Sequence, residues 1–596
     1  MRSRTKLAGL ITTCAVLCLG AGASAQTEPP PRPNFVLIVI DDAGFTDLGA
    51  YGGEARTPNI DALAQRGAQF SRYYSSPLCS PSRAMLLTGV DNHRTGLATI
   101  EEVLPPEHRG QPGYTMHLEP GVTTIASRLQ SNGYRTYATG KWHLGHAEGD
   151  LPNAHGFDRS LVLDASGADN WEPRPYMPYY QTAPWFRDGA PAEMPANYYS
   201  SNLIVDQMIE YLEADRTSTE PFFAYVAFQA VHIPVQAPRE FTEHYNDVYD
   251  GGWQALREQR WRRAQEFGLI PQNAPLGAMP AGLRDWNALP PEEQAIYARS
   301  MAVHAGMLEA MDAQIGRLIS YLQDRGLDQN TIFIVVSDNG PEPSNPIIEN
   351  GFTLWMATHG YTRHVENLGE RRSYVFIGPE FASATASPGT LFKFYTAEGG
   401  VHVPLIVAGP GVQPGRIDAR AFVTDIAPTM LERAGIATQA DERIPITGRS
   451  LSSLLSGAAT TVRSDDDVIG IEVSGNSALY RGAYKLVRNQ PRWGDGHWRL
   501  FNIETDPGET QDLAQSQPEL FASMREAYDA YARANGVLEL PPGYDVQRQV
   551  ARNALMRQLQ AYWWVLALAL AVALVLVAAA VKIVRHNLLR PTANKS

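Results

Sequence analysis

The chain has 596 residues, which is long enough for more than one domain. Its 50 Lys and Arg residues and 63 Asp and Glu residues give a net charge of −13, which excludes non-specific nucleic-acid binding because that requires a basic surface. Any site for an anion must therefore be built locally, from a few Lys, Arg or His side chains or from metal ions.

The N-terminus has the pattern of a secretory signal peptide. A basic start is followed by an apolar run over residues 7–20 and by Ala23-Ser24-Ala25, a small-residue cleavage site. We therefore predict that residues 1–25 are removed on export, together with Cys14 and Cys18. An uncleaved membrane anchor is the alternative. The mature chain would keep one cysteine and would depend on its core for stability, not on disulfides.

The first predicted strand follows a Pro-rich linker over residues 26–33. Residues 35–40 are continuously apolar, which is typical of a parallel strand buried on both faces. Asp41 and Asp42 come directly after it. Paired carboxylates at this end of a buried strand are costly without a cation, and ligands bind at this end of open α/β sheets. The functional interpretation is a divalent metal site, and the alternative is a solvated turn.

Cys79 lies in the segment Cys79-Ser80-Pro81-Ser82-Arg83, which precedes an apolar run. The pattern predicts a loop followed by a short helix, with Pro81 near the helix start and Ser80 or Ser82 as its N-cap. The start of a helix presents free N–H groups to an anion or to a reactive polar group. A buried structural cysteine is the alternative interpretation.

A second strand, predicted over residues 134–139, leads into Gly140-Lys141-Trp142-His143-Leu144-Gly145. Lys141 and His143 are two residues apart, so an extended segment would point both side chains the same way. The alternative is a surface lysine and a structural histidine. A further apolar run over residues 222–228 is predicted as a buried strand with His232 near its carboxyl end.

The strand predicted over residues 331–336 repeats the pattern of the first, because Asp338 and Asn339 follow it closely. The carboxyl ends of parallel strands meet at one edge of a sheet, so we expect these side chains beside Asp41 and Asp42. Four hard oxygen donors suit Ca²⁺ or Mg²⁺ and do not suit zinc, which prefers nitrogen and sulfur ligands.

One long amphipathic helix is predicted over residues 291–322, where apolar residues recur on one face and serve packing. Three other segments, 150–200, 240–290 and 345–390, show no regular spacing of apolar residues. We predict irregular segments there, which shape the mouth of the site, cover it or form a pocket wall.

The character of the chain changes after about residue 460. Short runs separated by tight turns predict a small antiparallel sheet, closed by a helix, in a domain over residues 460–545. A juxtamembrane helix is predicted at 546–561. Residues 562–581 are twenty uncharged residues, long enough for a transmembrane helix, and a basic tail follows at 582–596. A buried core helix is the alternative for 562–581.

Several of these motifs together resemble the sulfatase family, and its bacterial arylsulfatases most of all. The resemblance covers about residues 34–513 and depends on motifs in family order: Asp41-Asp42, Thr57-Pro58-Asn59-Ile60-Asp61, Cys79-Ser80-Pro81-Ser82-Arg83, the hexapeptide from Gly140 to Gly145, His232, Ser337-Asp338-Asn339-Gly340 and Leu391-Phe392-Lys393. It implies the α/β fold of the alkaline-phosphatase superfamily. A large, mostly parallel sheet flanked by helices would form the catalytic domain over 34–459, beside the smaller C-terminal antiparallel sheet and one C-terminal transmembrane helix.

The resemblance also implies roles for the site residues. Cys79 would be converted after translation to formylglycine (3-oxoalanine), and Arg83 would orient its hydrate. Ca²⁺, with Mg²⁺ less favoured, would be bound by Asp41, Asp42, Asp338, Asn339 and the modified residue 79. Sulfate oxygens would be bound, and protons moved, by Lys141, His143, His232 and Lys393.

Such an enzyme would hydrolyse sulfate monoesters of aryl or similar hydrophobic alcohols. One hydroxyl of the aldehyde hydrate attacks sulfur with Asp338 as base, while His232 and Lys393 protonate the leaving oxygen. The other hydroxyl, helped by His143, then releases sulfate and restores the aldehyde.

The implied partners are a small-molecule sulfate ester, a formylglycine-generating enzyme, the export machinery and the inner membrane, with no nucleic acid. The catalytic domain would lie in the periplasm and the C-terminal tail in the cytoplasm. Three other functions remain open: a phosphonate or phosphate ester hydrolase of the same superfamily, an unmodified metal-dependent phosphotransferase, and a non-enzymatic membrane-tethered binding protein.

Overall fold

The computed structural model describes residues 31–348, 351–438 and 443–588. The predicted signal peptide at 1–25 and most of the predicted linker lie outside the described residues, as does the predicted basic tail from residue 589 onward. Short 3₁₀ turns connect many of the helices and strands defined below.

The strands of the described chain form a large sheet, a two-stranded ribbon and a small C-terminal sheet. In chain order they are β1 (Asn34–Ile40), β2 (Ala68–Phe70), β3 (Tyr73–Tyr74), β4 (Arg135–Lys141), β5 (Arg159–Leu163), β6 (Trp185–Arg187), β7 (Ala190–Pro191), β8 (Phe222–Ala227), β9 (Thr331–Ser337), β10 (Leu405–Ala408), β11 (Gly415–Ile417), β12 (Ala421–Phe422), β13 (Ile469–Val473), β14 (Asn476–Arg481), β15 (Tyr484–Arg488) and β16 (Trp498–Asn502). The large sheet has the order β11-β2-β10-β9-β1-β8-β4-β5-β6-β7.

The centre of the large sheet is parallel. Strands β9, β1, β8, β4 and β5 are parallel neighbours, and Val36 of β1 lies opposite Phe333 of β9 and Ala224 of β8. Antiparallel pairs occur toward the margins, where β10 joins β9 and β6 joins β5. The predicted α/β fold is confirmed, in the form of a mixed sheet with a parallel centre.

Helices cover both faces of this sheet. In chain order they are α1 (Pro58–Arg66), α2 (Cys79–Thr88), α3 (Ile125–Ser131), α4 (Ser200–Ala214), α5 (Arg239–Thr242), α6 (Gly252–Glu266), α7 (Pro291–Asp324), α8 (Phe352–Thr358), α9 (Gly378–Thr385), α10 (Glu398–Val401), α11 (Ile426–Arg433), α12 (Ser452–Leu455), α13 (Pro518–Asn535) and α14 (Val546–Leu588). Val36 and Ile38 of β1 face a core shared with α1, α4 and α7, whereas Phe35 and Leu37 face a core shared with α2, α3 and α11. Strand β1 is therefore buried on both faces, as its unbroken apolar run predicts.

The prediction of an irregular segment at 240–290 is wrong, because α6 lies within it. This helix lacks an apolar period because its buried residues include Arg257 and Arg260. Arg257 donates to the carbonyl of Gly277 at 2.7 Å, and Arg260 pairs with Asp47 at 2.6 Å. Two buried guanidinium groups, one bonded to backbone carbonyls and one paired with carboxylates, thus replace the usual apolar face.

The other two segments without a period also hold regular structure. Strands β5, β6 and β7 lie within 150–200 and extend one margin of the large sheet. Helices α8 and α9 lie within 345–390. Each of these elements has two to eight residues, and so few residues show no recognisable hydrophobic periodicity in the sequence.

The small antiparallel sheet is confirmed, with the order β13-β14-β15-β16. Its Leu479 and Leu486 pack against Met524 and Tyr528 of α13. The last helix, α14, is kinked at Tyr562, whose backbone angles are non-helical. The kink divides α14 into two helical segments that meet where the predicted juxtamembrane helix ends and the predicted membrane helix begins. The stretch Ala567–His586 of α14 has a mean hydropathy of 2.7 and is long and apolar enough to cross a membrane, by length and composition.

Candidate active site

The carboxyl ends of four neighbouring parallel strands bring polar residues to one edge of the large sheet. In strand order these residues are Asp41 and Asp42 after β1, Lys141 and His143 at the end of β4, His232 after β8, and Asp338 and Asn339 after β9. The backbone N–H of Asp42 donates to Asp338 Oδ1 at 3.2 Å, which joins two of the strand ends directly. The predicted convergence of the strand ends is therefore confirmed.

Cys79 is the first residue of α2, where a loop position was predicted. The predicted serine N-cap is wrong: Leu78 precedes the helix and makes no side-chain cap. The hydroxyl of Ser80 donates instead to the carbonyl of His143 at 2.7 Å, and that of Ser82 donates to the carbonyl of Ser76 at 3.1 Å. Both serines thus tie neighbouring loops to the helix that carries Cys79.

Three carboxylates crowd around the thiol. Ligand atoms of Asp41, Asp42, Cys79 and Asp338 all lie within 4.8 Å of one another, and all four residues are buried. Burial raises the pKa of Asp41 to about 8, although the charge of Lys141 opposes the rise. Burial also holds the pKa of the Cys79 thiol well above its usual value. An unmodified Cys79 is therefore protonated at neutral pH and is a poor nucleophile.

Each carboxylate contacts a buried cation. The closest contacts are Arg83 Nε to Asp338 Oδ2 at 2.8 Å, Lys141 Nζ to Asp41 Oδ2 at 2.7 Å, and Lys393 Nζ to Asp42 Oδ1 at 2.8 Å. Arg83 also donates through an NH1 proton to the carbonyl of Lys141 at 2.9 Å. The positive charges are thus held in place before any substrate binds, which is what stabilisation of developing negative charge requires.

The segment after β4 is not extended, so the geometry predicted for Lys141 and His143 is wrong. Gly140 and His143 have φ values of +94° and +59°. A side chain at position 140 is excluded as well, because a Cβ there would lie 1.8 Å from the carbonyl oxygen of Ala227. Glycine at position 140 lets β4 lie close to β8, and the turn after the strand lies at His143, whose carbonyl accepts from Ser80 on the helix of Cys79.

The two histidines of the site are neutral. Burial, and then the charge of Lys141, hold the pKa of His143 and of His232 well below the usual value. His232 Nδ1 lies 2.6 Å from the carbonyl oxygen of Ile233 and donates to it, which leaves Nε2 as an acceptor at 3.8 Å from Asp42 Oδ2. His143 Nδ1 has no hydrogen-bond partner among the described residues.

Glu342 is a site residue that the sequence analysis missed. Its Oε2 lies 2.9 Å from Lys393 Nζ, and its carboxylate is close enough to Asp42 and His232 to share a cation with them. It follows Asp338 by four residues, so a search for acidic residues beyond the strand end would have found it.

A divalent cation fits this donor set. The side-chain oxygen of Asn339 is buried and lacks a hydrogen-bond partner among the described residues. Four carboxylates face three cations in the cluster, so its formal charge is minus one. A bound divalent cation would make that charge plus one, relieve the repulsion between the carboxylates and favour an anionic ligand. Oxygen donors of this kind suit Ca²⁺ or Mg²⁺.

The chain is similar in sequence to known proteins of one family. The sulfatase family model matches residues 33–436. An uncharacterized sulfatase of Schizosaccharomyces pombe is 33% identical over 536 residues, which are 86% of this chain and 96% of that protein. An arylsulfatase of Klebsiella aerogenes is 34% identical over 454 residues, covering 74% of this chain and 95% of that protein.

A solved structure gives the same fold. The protein Ps i-CgsB, in complex with k-i-k-neocarrahexaose, superimposes with a TM-score of 0.61 at 23% identity. The match covers 88% of this chain and 98% of that one. At this identity the likeness concerns the fold alone, and the fold includes the edge of the large sheet described above.

Proposed function

This chain belongs to the sulfatase family, and from that premise we propose that it hydrolyses sulfate monoesters of aryl or similarly hydrophobic alcohols, releasing the alcohol and inorganic sulfate. The observation that carries the proposal is the position of Cys79. Its Sγ lies 3.6 Å from Asp41 Oδ1 at the start of a buried helix, among carboxylates and lysines. A protonated thiol is a poor nucleophile at this position, whereas an aldehyde made from it would lie next to a bound metal ion.

The metal would be Ca²⁺, held by Asp41, Asp42, Asp338, Asn339 and the modified residue 79. When bound, it would draw charge from sulfate oxygens and favour the ionised form of a hydroxyl on residue 79. Formylglycine at position 79, made by a formylglycine-generating enzyme, would supply two hydroxyls on one carbon, one for attack on sulfur and one for the release of sulfate.

The lysines bind and orient the sulfate group. Lys141 and Lys393 are buried and each already contacts a carboxylate, so their ammonium groups cannot swing away into water. A sulfate ester entering the site would accept hydrogen bonds from both. Arg83 holds Asp338 in position through contacts of 2.8 Å and so fixes the carboxylate that would accept the proton of the attacking hydroxyl.

The histidines move protons. Neutral His232 presents Nε2 to the site, and the negative charge of an entering sulfate favours its protonated form. His232 would then donate to the leaving oxygen together with Lys393. His143 would take the proton of the second hydroxyl, because its Nδ1 has no hydrogen-bond partner among the described residues.

The body of the protein would be exported to the periplasm, with α14 crossing the inner membrane and the tail in the cytoplasm. The apolar stretch Ala567–His586 supports this placement, since it is exposed and carries few charges. Protease added to spheroplasts is expected to remove the catalytic domain. Protection of that domain would place it in the cytoplasm and contradict the topology.

The function is tested by comparing 4-nitrophenyl sulfate with 4-nitrophenyl phosphate and an aryl phosphonate. Protein expressed with a formylglycine-generating enzyme is expected to favour the sulfate. The same sample is digested, and mass spectrometry of the peptide that contains residue 79 shows whether the thiol has been converted to an aldehyde. A dominant phosphorus ester activity, or full activity with an intact thiol, refutes the proposal.

A further inference from the structure

A cavity of about 550 Å³ opens onto the edge of the large sheet that carries the candidate site. We call this edge, which holds Asp41, Asp42, His232 and Asp338, the catalytic edge. His232 and Lys393 line the cavity, together with apolar and aromatic side chains from distant parts of the chain, among them Ile100, Val103, Phe394 and Trp493. Its size is that of a small-molecule site. Polar side chains such as Asn476 and Gln490 line other parts of it, so the lining is mixed, with one apolar side. The space beside the sulfate-binding groups is large enough for an alcohol much bigger than a single ring.

The first turns of α14 form one wall of this cavity. Val546 and Val550 line it, and both pack against an apolar cluster that contains Leu78, Ile100 and Val103. Leu78 is the residue immediately before Cys79. An apolar surface thus runs from the neighbour of the nucleophile position to the helix that continues toward the candidate membrane span.

This wall is fixed to the catalytic domain by specific contacts. Asn553 Nδ2 donates to the carbonyl of Glu102 at 2.9 Å, and Gln558 Nε2 donates to the carbonyl of Pro178 at 2.7 Å. The partly buried residues of α14 recur at helical spacing, at Val546, Val550, Asn553 and Gln558, so one face of the helix is docked. The helix therefore belongs to the site as well as to the proposed membrane anchor.

The charged residues around this cavity do not make it a site for a polar alcohol. Arg284 is paired with Glu380 at 2.7 Å, and Glu342 is paired with Lys393. Burial raises the pKa of Glu102 to about 7. Gln490 Nε2, on another side of the cavity, donates to the carbonyl of Gly475 at 2.9 Å. The apolar side next to Val546 and Val550 offers no hydrogen bonds to the hydroxyls of a sugar, whereas an alkyl chain or a fused ring system requires none.

We propose that Val546 and Val550 contact the alcohol portion of the substrate and select amphiphilic sulfate esters, in which one sulfate is joined to a long alkyl chain. The inference rests on the proposed sulfatase function and specifies its substrate class. Val550 precedes Ala567, the start of the apolar stretch, by about 25 Å of helix at 1.5 Å per residue. The helix that lines the cavity thus continues, through the kink at Tyr562, into the candidate membrane span, so the cavity would be tethered to a membrane into which an amphiphilic ester partitions.

The test uses the full-length, formylglycine-containing protein in lipid nanodiscs, with decyl sulfate below its micellar concentration and with 4-nitrophenyl sulfate. Val550→Glu places a charge in the apolar wall and is expected to lower kcat/KM for decyl sulfate by about tenfold or more, mainly through KM. The loss for 4-nitrophenyl sulfate, whose single ring buries less apolar surface, is expected to be several-fold smaller. Val550→Trp fills the space without adding charge. It is expected to lower kcat/KM for decyl sulfate more than for 4-nitrophenyl sulfate.

The matched control is Ala551→Glu, which adds the same charge one residue further on, at an exposed position that does not line the cavity. It is expected to leave both substrates unchanged. Equal losses for both substrates in the Val550 variants, or no loss for decyl sulfate, overturn the inference while leaving the sulfatase function intact.

Calorimetric binding of decyl sulfate to Cys79→Ala protein separates the two proposals. Binding that Val550→Glu weakens and Ala551→Glu does not, in a protein whose wild type hydrolyses neither sulfate, would support the cavity assignment and refute the sulfatase function. Binding that neither substitution weakens refutes the cavity assignment, whatever the wild-type activity.

Discussion

The catalytic edge of the large sheet and the C-terminal region from β13 to α14 use buried side chains in opposite ways. At the catalytic edge, the sheet brings charges together: Arg83, Lys141 and Asp338 are fully buried within a few ångströms of one another. In the C-terminal region the small sheet packs on α13 through apolar side chains, as where Leu479 packs against Met524, and the buried charge of Lys485 is paired with Glu398 and Glu509.

This difference separates the expected effects of substitution. Charges buried at a strand edge cost desolvation energy even when they are paired, and such an arrangement persists where it serves chemistry. Apolar packing contributes stability and shape. Changes at the catalytic edge should therefore alter turnover of every sulfate ester, whereas changes in the C-terminal region should alter stability or the choice of alcohol.

The largest effect is expected from Cys79→Ala. Alanine cannot be converted to formylglycine, so turnover of 4-nitrophenyl sulfate should fall by a factor on the order of 10⁴. Met85→Leu, a similar-sized change in the buried part of the same helix, should leave turnover within about threefold. Steady-state kinetics and the melting temperature of both proteins check this. Retention of most activity in Cys79→Ala would rule out the covalent mechanism.

Removal of the metal should have the next largest effect. Dialysis against EGTA is expected to lower turnover by about a thousandfold, since the cation stabilises charge in the transition state by several kcal/mol. The melting temperature should fall as well, because three buried carboxylates lose their shared counter-ion. Added Ca²⁺ should restore both quantities better than equal Mg²⁺. Unchanged turnover and melting temperature after exhaustive dialysis would argue against a bound cation.

Glu342→Gln tests a residue of the catalytic edge that no sequence pattern indicated. Glutamine removes one of the two carboxylate charges that hold Lys393, so kcat should fall by about tenfold to a hundredfold. The loss should appear in kcat more than in KM, because Lys393 would still bind sulfate but in a less fixed position. Glu366→Gln, at an exposed position, is the control and should have no effect. Equal kinetics for the two variants would remove Glu342 from the site.

The catalytic edge was largely predictable from the sequence. Asp41 and Asp338 each follow an apolar run of strand length, and parallel strands of a buried sheet end at the same edge. Two details were not predictable. The positive φ of His143 leaves no pattern in the sequence, and the start of α2 at Cys79 comes with serine contacts to two other loops, at His143 and Ser76.

The cavity wall was not predictable, because its contacts are too distant in sequence to leave a local pattern. Val550 and Leu78 belong to one apolar cluster although more than 450 residues separate them. Helix α6 was missed for a different reason: Arg257 and Arg260 occupy its buried face, and a periodicity search reads arginine as solvent-exposed. In both cases the buried position of the side chain depends on contacts with residues distant in sequence.

The smallest effect on turnover, and a measurable one on stability, is expected at the joint between the two regions. His93, which follows α2, lies 2.7 Å from Glu472 of β13 through Nε2 and 3.3 Å from Asp91 through Nδ1. Burial opposes its protonation, but the hydrogen bonds to Asp91 and Glu472 outweigh it and raise the pKa of His93 to about 9. The imidazolium is therefore a charged link between the large domain and the small sheet.

A histidine whose pKa is higher in the folded protein stabilises it fully below its unfolded pKa, and the stabilisation is lost as the pH rises through the folded value. For His93 that window runs from about 6.5 to about 9. His93→Gln should therefore lower the free energy of unfolding by roughly 2 kcal/mol at pH 6, and the difference from wild type should shrink toward pH 9.5. Denaturant titrations at both pH values measure it, with His364→Gln, an exposed histidine, as the control. A difference that stays constant with pH would mean that packing, and not charge, holds the two regions together at this position.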